Sequence, residues 1–370
     1  MMAAACRKAV GGLWDHSAMG AASHPGLVLS RCLRSQEKPS GPNKQDPKRE
    51  LLRCACRAMA ATHDVYAPAF SRWLAQLDAW NEGGVPTAHR EYKVAGRLIV
   101  GLGIASVLET GIRLHHTYGV PLIPGSVLKG LTAHYCDQVR GGTGGDPEFK
   151  LSGEFLGEDG QMQTRPGKHY EALFGTQKGA GHIIFHDAWI TPRSLSLDPN
   201  KPNSGALHLD VMTPHHPNYY SGGPSAPTDF DDPTPIPFVS VKGTFHLAVS
   251  CDDPGGAGWA KLALDLLCEA LQHWGAGGKT SSGYGRLAPD RAECTLGAGQ
   301  RTTMAVEIAE PTRLVLRAED DCIAVVSGDR PHLVVGQVVD VTIISARRDR
   351  YVVALRPPST APGEANDDRD

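Results

Sequence analysis

The chain contains no Cys-x-x-Cys pair. Its nine cysteines are scattered, and the closest two, Cys54 and Cys56, are spaced too tightly for the usual zinc knuckle. Reduced thiols in a cytoplasmic protein are the plain reading. No run approaches the roughly 18 apolar residues that read as a membrane span. Arg7, Lys8, Trp14 and Asp15 interrupt any secretory hydrophobic stretch near the N-terminus. A basic excess is missing too: the formal net charge is −3. A protein that binds nucleic acid alone usually carries such an excess, so any contact with a polyanion must be local or shared with partner subunits.

Glycine and proline are plentiful. The 42 Gly and 27 Pro make almost a fifth of the 370 residues, more than an average domain carries, and predict long loops around a modest core. A hydrophobic content of 41% suffices for that core, in one large domain or two smaller ones.

Residues 1–50 read as a poorly ordered extension, because "SQEKPSGPNKQDPKRE" is polar, Pro-rich and aperiodic. A helical region follows over 51–91, in which Phe70, Trp73, Leu74, Leu77 and Trp80 recur at helical spacing. The stretch 92–106, "YKVAGRLIVGLGIAS", reads as a strand. Pro124-Gly125-Ser126 then looks like a helix start, with Ser126 as its cap and Val127, Leu128, Leu131 and Tyr135 as an apolar stripe. "GHIIFHDAWI" (181–190) and "PFVSVKGTFHLAVS" (237–250) read as two more strands. Between them, residues 191–236 hold nine prolines, too long and irregular for an ordinary connection.

The clearest helix is next. Trp259, Leu262, Ala263, Leu266, Leu267, Ala270, Leu271 and Trp274 form one continuous apolar face, stopped by Gly275. A Gly-rich loop and a short strand follow. The order βαββαβ predicts an α+β, ferredoxin-like domain over 92–290, carrying 191–236 as an insertion in its central hairpin. Residues 295–356 read as a small β-rich appendage and 357–370 as a disordered tail.

The loop "GAGGKTSSGYGRL" contains Gly278-Lys279-Thr280, the end of a phosphate-binding P-loop. The first glycine of that pattern would have to be residue 273, which is histidine. A P-loop also leads from strand into helix, whereas this loop leads from helix into strand. Nucleotide binding is therefore not expected. Glycines that admit close backbone approach, one lysine and several hydroxyls do suit the sugar–phosphate backbone of a nucleic acid; the plain alternative is a turn after a helix.

"GVPLIPGSVLKG" (119–130), "ALFG" (172–175), "GHIIFHDA" (181–188), "LDVMTPHHPNYY" (209–220), "PTPIPFVSVKGTF" (233–245) and the Gly-rich loop occur in an order that resembles the RAMP superfamily of CRISPR proteins. The likeness is strongest to the backbone RAMP subunits near the 3′-guide end of type III-B (Cmr) effector filaments. It covers about residues 92–288. It implies an RRM-related ferredoxin-like fold whose Gly-rich loop lies against guide RNA, and a thumb, here within 191–236, that wedges into the guide–target duplex. It implies as partners guide (CRISPR) RNA, single-stranded target RNA and other RAMP backbone subunits, and it implies no cofactor. Carried onto this sequence, Ser126, Lys129, Gly277, Gly278, Lys279, Thr280, Ser281, Ser282, Tyr284 and Arg286 become the expected RNA contacts. Asp210, His215, His216 and Tyr219 become thumb residues facing the target duplex.

Some RAMP proteins are ribonucleases, and Asp210, with Asp229, Asp231 and Asp232, offers a carboxylate for a metal ion in that alternative; the subunit class implies no cleavage, and no catalytic residue or bound metal is expected. His182 and His186 share a strand face but stand about 13 Å apart, too far for one ion. Arg347, Arg348 and Arg350 suggest either an RNA-facing patch or a solvated strand edge.

Overall fold

The computed structural model of the protein describes residues 24–33, 35–36, 46–157, 161–196, 205–213, 216, 219, 222, 226, 228, 231, 233, 235–289, 298–310, 313–317, 323–327, 333–347 and 350–355. The chain divides into two compact units, Met1–Pro289 and Asp290–Asp370.

Helix α1 (Pro25–Arg31) starts at His24, whose side chain accepts from the Leu27 amide, with Pro25 in the first helical position. Part of the extension expected to be poorly ordered is thus a docked helix. Val28, Leu29, Cys32 and Leu33 are buried in one cluster with Leu51, Leu52, Cys54 and Ala55 of α2 (Pro47–Ala61). The reason is local: "PGLVLSR" carries enough apolar side chains to repay ordering. Asp46 caps α2 by accepting from the Lys48 amide at 2.9 Å. Helix α3 (His63–Glu82) follows with Tyr66, Ala69, Phe70 and Leu77 buried. The Tyr66 hydroxyl donates to the Ile190 carbonyl at 2.6 Å, tying the helix to the sheet.

Strand β1 (Thr87–Val94) begins and ends earlier than the sequence suggests. Residues 95–106 are not a strand: Leu98, Ile99 and Val100 are buried, but Leu98 makes only an isolated bridge to Val241. After β2 (Leu122–Ile123) come α4 (Gly125–Tyr135), the hairpin β3 (Gly153–Leu156) and β4 (Met162–Arg165), and α5 (Lys168–Phe174). The expected strand 181–190 is two, β5 (Ile183–Phe185) and β6 (Ala188–Ile190). Likewise 237–250 divides at Lys242-Gly243. Strand β8 (Ile236–Val241) pairs with β7 (Leu207–Met212) in a separate hairpin, while β9 (Thr244–Cys251) is central in the main sheet. Helix α6 (Ala257–His273) and β10 (Leu287–Pro289) complete the unit.

The main sheet runs β10-β1-β9-β6-β2, with β5 also on β9, and every pairing is antiparallel. Along β1, Arg90 pairs with Asp265 of α6 at 3.1 Å and the Tyr92 hydroxyl accepts from Gln272 of α6 at 2.9 Å. His89 instead lies 3.7 Å from Asp78 of α3. Side chains alternate along a strand, so α6 and α3 cover opposite faces of the sheet.

The second unit is a closed barrel of β11 (Arg301–Glu310), β12 (Arg313–Arg317), β13 (Ile323–Val326), β14 (Val338–Arg347) and β15 (Arg350–Leu355), in the order β11-β12-β13-β15-β14. Met304, Val306, Leu316, Ala324, Val341, Ile343, Tyr351 and Val353 fill it. Closure leaves no open edge. The alternative of a solvated strand edge is corrected at Arg350, which pairs with Ile323 on one side and Arg347 on the other; the β14–β11 ladder covers Val338–Thr342, so Arg347 is paired with Arg350 alone.

Candidate functional site

Four glycines in the left-handed region fold the loop after α6 tightly on itself: Gly275, Gly277, Gly283 and Gly285 have φ of 79°, 82°, 85° and 79°. Two of them are steric necessities. A Cβ on Gly277 would stand 2.0 Å from the Ile99 carbonyl oxygen, and one on Gly285 2.0 Å from that of Ala276. The segment at 97–99, with Leu98 and Ile99 buried and Arg97 half-buried, is the seat for this loop. The Arg97 carbonyl accepts from the Gly285 amide at 2.7 Å and the Ile99 carbonyl from the Gly278 amide at 2.8 Å. That is why an apolar stretch that reads as a strand is none: its carbonyls serve the loop instead of a neighbouring strand.

At the loop's tip Lys279 has φ 58° and ψ 33°, and it is the one non-glycine residue with positive φ among the described residues. A short 3-10 turn, Thr280–Ser282, follows it. The Ala276, Gly278, Ser282, Gly283, Tyr284 and Gly285 amides are bonded within the fold. Those of Gly277, Lys279, Thr280 and Ser281 have no protein acceptor among the described residues. Unpaired amides around a left-handed residue form the kind of concavity that receives anions.

Beside the loop lies a groove of about 530 Å³, lined by Val127 and Leu131 of α4, by His273 and Trp274 at the end of α6, and by Gly275, Ala276, Gly277, Thr280, Ser281 and Arg286. Of the residues singled out in the sequence, Gly277, Thr280, Ser281 and Arg286 are brought together in this groove. Gly278, Lys279 and Ser282 sit on the tip outside the groove lining. Ser126 and Lys129 do not line it either; on a helix Lys129 lies about 200° around from Val127. Ser126 is also not the cap of α4. The helix begins at Gly125 without a side-chain cap of its own, and Asp187, between β5 and β6, accepts from the Gly125 amide at 2.7 Å. A carboxylate from the link between two strands has taken over the capping task.

Tyr284 turns the other way. Its hydroxyl donates to Asp210 Oδ2 at 2.8 Å, the Ser240 hydroxyl donates to the same oxygen at 3.2 Å, and Arg97 donates to Ser240 Oγ at 3.1 Å. Burial, then the hydrogen bond to Asp210, raises the Tyr284 pKa above its ordinary value. Asp210 is on β7 and Ser240 on β8, so the network ties the base of the inserted hairpin to the Gly-rich loop.

Among the other insertion residues, His216 Nδ1 is 2.8 Å from Asp231 Oδ2 and Tyr219 is exposed. His215, Asp229 and Asp232 lie outside the described residues. His182 and His186 each have a separate partner, Asp252 and Ser250, both at 2.8 Å. His208 is buried with Nε2 2.9 Å from the Gly205 carbonyl oxygen, and burial lowers its pKa.

The superfamily sequence model for RAMPs matches residues 91–288, more than half of the chain and all of the groove. The chain belongs to the RAMP superfamily. Among curated proteins, this RAMP chain is 36% identical to the CRISPR system Cmr subunit Cmr6 of Pyrococcus furiosus, over 53% of its own length. The match spans 66% of that relative, just under two thirds. Among solved structures it is similar to the crystal structure of Cmr6 from Pyrococcus furiosus, at 33% identity and a TM-score of 0.34, covering 55% of this chain and 98% of that one. It is also similar to a chain in the cryo-EM structure of a type III-B Cmr-β complex bound to cognate target RNA. There the identity is 16% and the TM-score 0.42, over 67% of this chain and 76% of that one.

Proposed function

We propose that this chain is a non-catalytic RNA-binding subunit of a type III-B CRISPR effector complex, holding guide RNA and its duplex with target RNA in antiviral defence. The observation that carries the reading is the groove beside the Gly-rich loop. It combines unpaired amides at Gly277, Thr280 and Ser281, a cationic Arg286 and the exposed Lys279 at its rim. These groups recognise phosphate and sugar, not base edges, so specificity would come from base pairing between guide and target. The near-neutral charge of the chain fits a subunit that shares its RNA channel with neighbours of the same fold.

The fold supports this. Read as β1-α4-(β5/β6)-β9-α6-β10, the unit has the ferredoxin-like order, and its sheet order places the last strand beside the first and the third between the first and second. The β7–β8 hairpin falls where a thumb is expected. RRM domains read RNA on the open sheet face through aromatic side chains; here that face carries α3, with Trp73 stacked on Trp189 at 5.7 Å. RNA is therefore assigned to the loop side. Asp210, the strongest rival as a metal-binding catalytic carboxylate, has its Oδ2 engaged by Tyr284 and Ser240 and its Oδ1 by the Val211 amide, which supports a positioning role.

Sequencing the RNA that co-purifies with the tagged protein from its native host tests the reading. Discrete repeat-derived guides are expected, and random fragments or no RNA from an intact complex would overturn it. Incubating the lone protein with labelled RNA, with Mg²⁺ and with chelator, tests the ribonuclease alternative.

A further inference from the structure

A cavity of about 390 Å³ shares no lining residue with the groove. Its walls are Leu27 and Leu29 of α1, Leu52 of α2, Val239 of β8, and Ile104 and Leu108 of the link between β1 and β2. Helices α1 and α2 precede the residues that match the RAMP model, so the cavity forms where an N-terminal addition meets the superfamily domain. The link is firmly folded. The Gly111 amide donates to the Leu102 carbonyl at 2.9 Å and the Arg113 amide to the Val100 carbonyl at 2.7 Å, closing residues 102–111 into a compact loop. Gln36, just after α1, donates to the Val107 carbonyl at 2.7 Å, and Lys48 of α2 pairs with Glu109. The opposing walls are thus tied together around the cavity.

The lining is chemically one-sided. It is mostly aliphatic, it contains no carboxylate, and Arg113 is its one fixed cation. Arg113 is exposed, and its guanidinium has no protein partner among the described residues. Burial lowers the pKa of His115, which shares the lining, against a smaller upward pull from Asp187. The nearby acids are already engaged, Glu109 by Lys48 and Asp187 by the Gly125 amide. An anionic group beside an apolar body complements such a lining. The mouth is apolar as well: Leu27, Ile104 and Val107 are 58%, 38% and 39% exposed, with Ser30, Ser106 and His116 beside them. An exposed apolar patch rimmed by polar groups marks a protein-binding surface, and a pocket within it is where an anchoring side chain is held. The volume is near the lower end for ligand pockets, room for one or two side chains and not for a folded element.

We propose that this cavity receives one aliphatic or aromatic side chain from an extended segment of a neighbouring subunit, with an adjacent Asp or Glu of that segment on Arg113. This assignment rests on the reading of the chain as a subunit of an effector complex, and it is independent of the groove. The cavity also adjoins the seat of the Gly-rich loop. Val100, whose carbonyl holds the Arg113 amide, follows Ile99, whose carbonyl holds the Gly278 amide. A docked neighbour therefore bears on the stretch of backbone that fixes that loop.

The test uses the complex assembled on the full chain in its native host, carrying Leu27→p-benzoylphenylalanine at the mouth, photo-crosslinked and mapped by peptide mass spectrometry. The expected product joins this position to a single segment of another subunit, one with an Asp or Glu within a few residues of an apolar side chain. Ala105→Trp, which fills the mouth from an exposed position, and Arg113→Glu should each weaken the association of that subunit about 10- to 100-fold. Exchanging the segment's carboxylate for lysine should restore it in the Arg113→Glu background. Crosslinks to this chain itself, to RNA or to nothing in an intact complex overturn the proposal. So do unchanged association in both folded variants and a crosslinked segment without a carboxylate. A chain that co-purifies with no other subunit overturns the reading of the complex as well, whereas a guide-bearing complex without the crosslink leaves that reading standing and removes the cavity alone.

Discussion

Replacing Lys279 by glycine separates what this residue does for the fold from what it does for a ligand. Its φ of 58° is left-handed, a conformation that costs an L-residue about 1–2 kcal/mol and glycine nothing. Glycine adds unfolded-state freedom worth about 0.5–1 kcal/mol against folding, so the two effects partly cancel. The difference leaves the folded protein between unchanged and about 1.5 kcal/mol more stable. Binding should respond differently. One lost lysine–phosphate contact lowers the salt slope by about 0.7 on single-stranded RNA and, at 0.1 M salt, the affinity by about fivefold. The assay is a urea midpoint beside a salt series of RNA affinities for the complex assembled with Lys279→Gly, with Lys279→Ala as the arm that keeps the strain. A strained residue with no effect on RNA affinity or slope would refute the assignment of Lys279 as a phosphate contact. A large loss of stability in Lys279→Gly would refute the account of its backbone.

Gly277→Ala and Gly285→Ala should each destabilise by more than about 2 kcal/mol, because the new Cβ meets a carbonyl oxygen at 2.0 Å; Gly283→Ala, with φ 85° but open space around it, should cost only about 1 kcal/mol, and thermal unfolding ranks the three. Tyr284→Phe removes a hydrogen bond to a carboxylate and should cost about 1.5–3 kcal/mol; Asp210→Asn should weaken the same link, and a double-mutant cycle should find the two coupled. Asp210→Ala should leave labelled RNA as intact as the parent does with Mg²⁺, by gel assay. His246 is buried with both ring nitrogens unpaired, and its pKa is lowered to about 4, first by burial and then by His89, against a smaller upward pull from Asp78. Because the folded pKa lies below the unfolded value near 6.5, its contribution is full above that value and is lost as pH falls from about 6.5 to 4, by up to about 3 kcal/mol. His246→Phe should flatten that part of the urea-midpoint profile, though burial also holds His115, His186 and His208 low, so some acid sensitivity should remain.

Much of the groove was legible in the sequence because it is built from local signals. Eight apolar residues at helical spacing announce α6, and five glycines around one lysine announce a loop that must turn sharply. What was not legible depends on partners far away in the chain. Asp187 caps α4 from 62 residues on, whereas the local sequence points to the nearer Ser126. Tyr284 meets Asp210 across 74 residues, and a tyrosine in a Gly-rich loop reads as a free stacking ring until that carboxylate is placed. Residues 95–100 misled for a related reason. Burial makes a segment apolar whether its carbonyls face a strand or a loop, and only the hydrogen-bond partners tell the two apart.

The two sides of the loop follow from that network. Gly277, Thr280, Ser281 and Arg286 line the groove, while Tyr284, four residues past Thr280, is held by the inserted hairpin through Asp210. A displacement at the hairpin base must therefore strain the Tyr284–Asp210 bond or move the loop, since Gly278 and Gly285 are pinned to the carbonyls of Ile99 and Arg97 and the adjoining glycines leave no slack. Arg97 itself reaches Ser240 in the hairpin, so the seat of the loop and the hairpin share a residue. If the hairpin engages the guide–target duplex, as proposed, loop and hairpin grip the RNA as one unit. Tyr284→Phe should then weaken target-duplex binding more than guide binding, although the lost hydroxyl need touch neither strand.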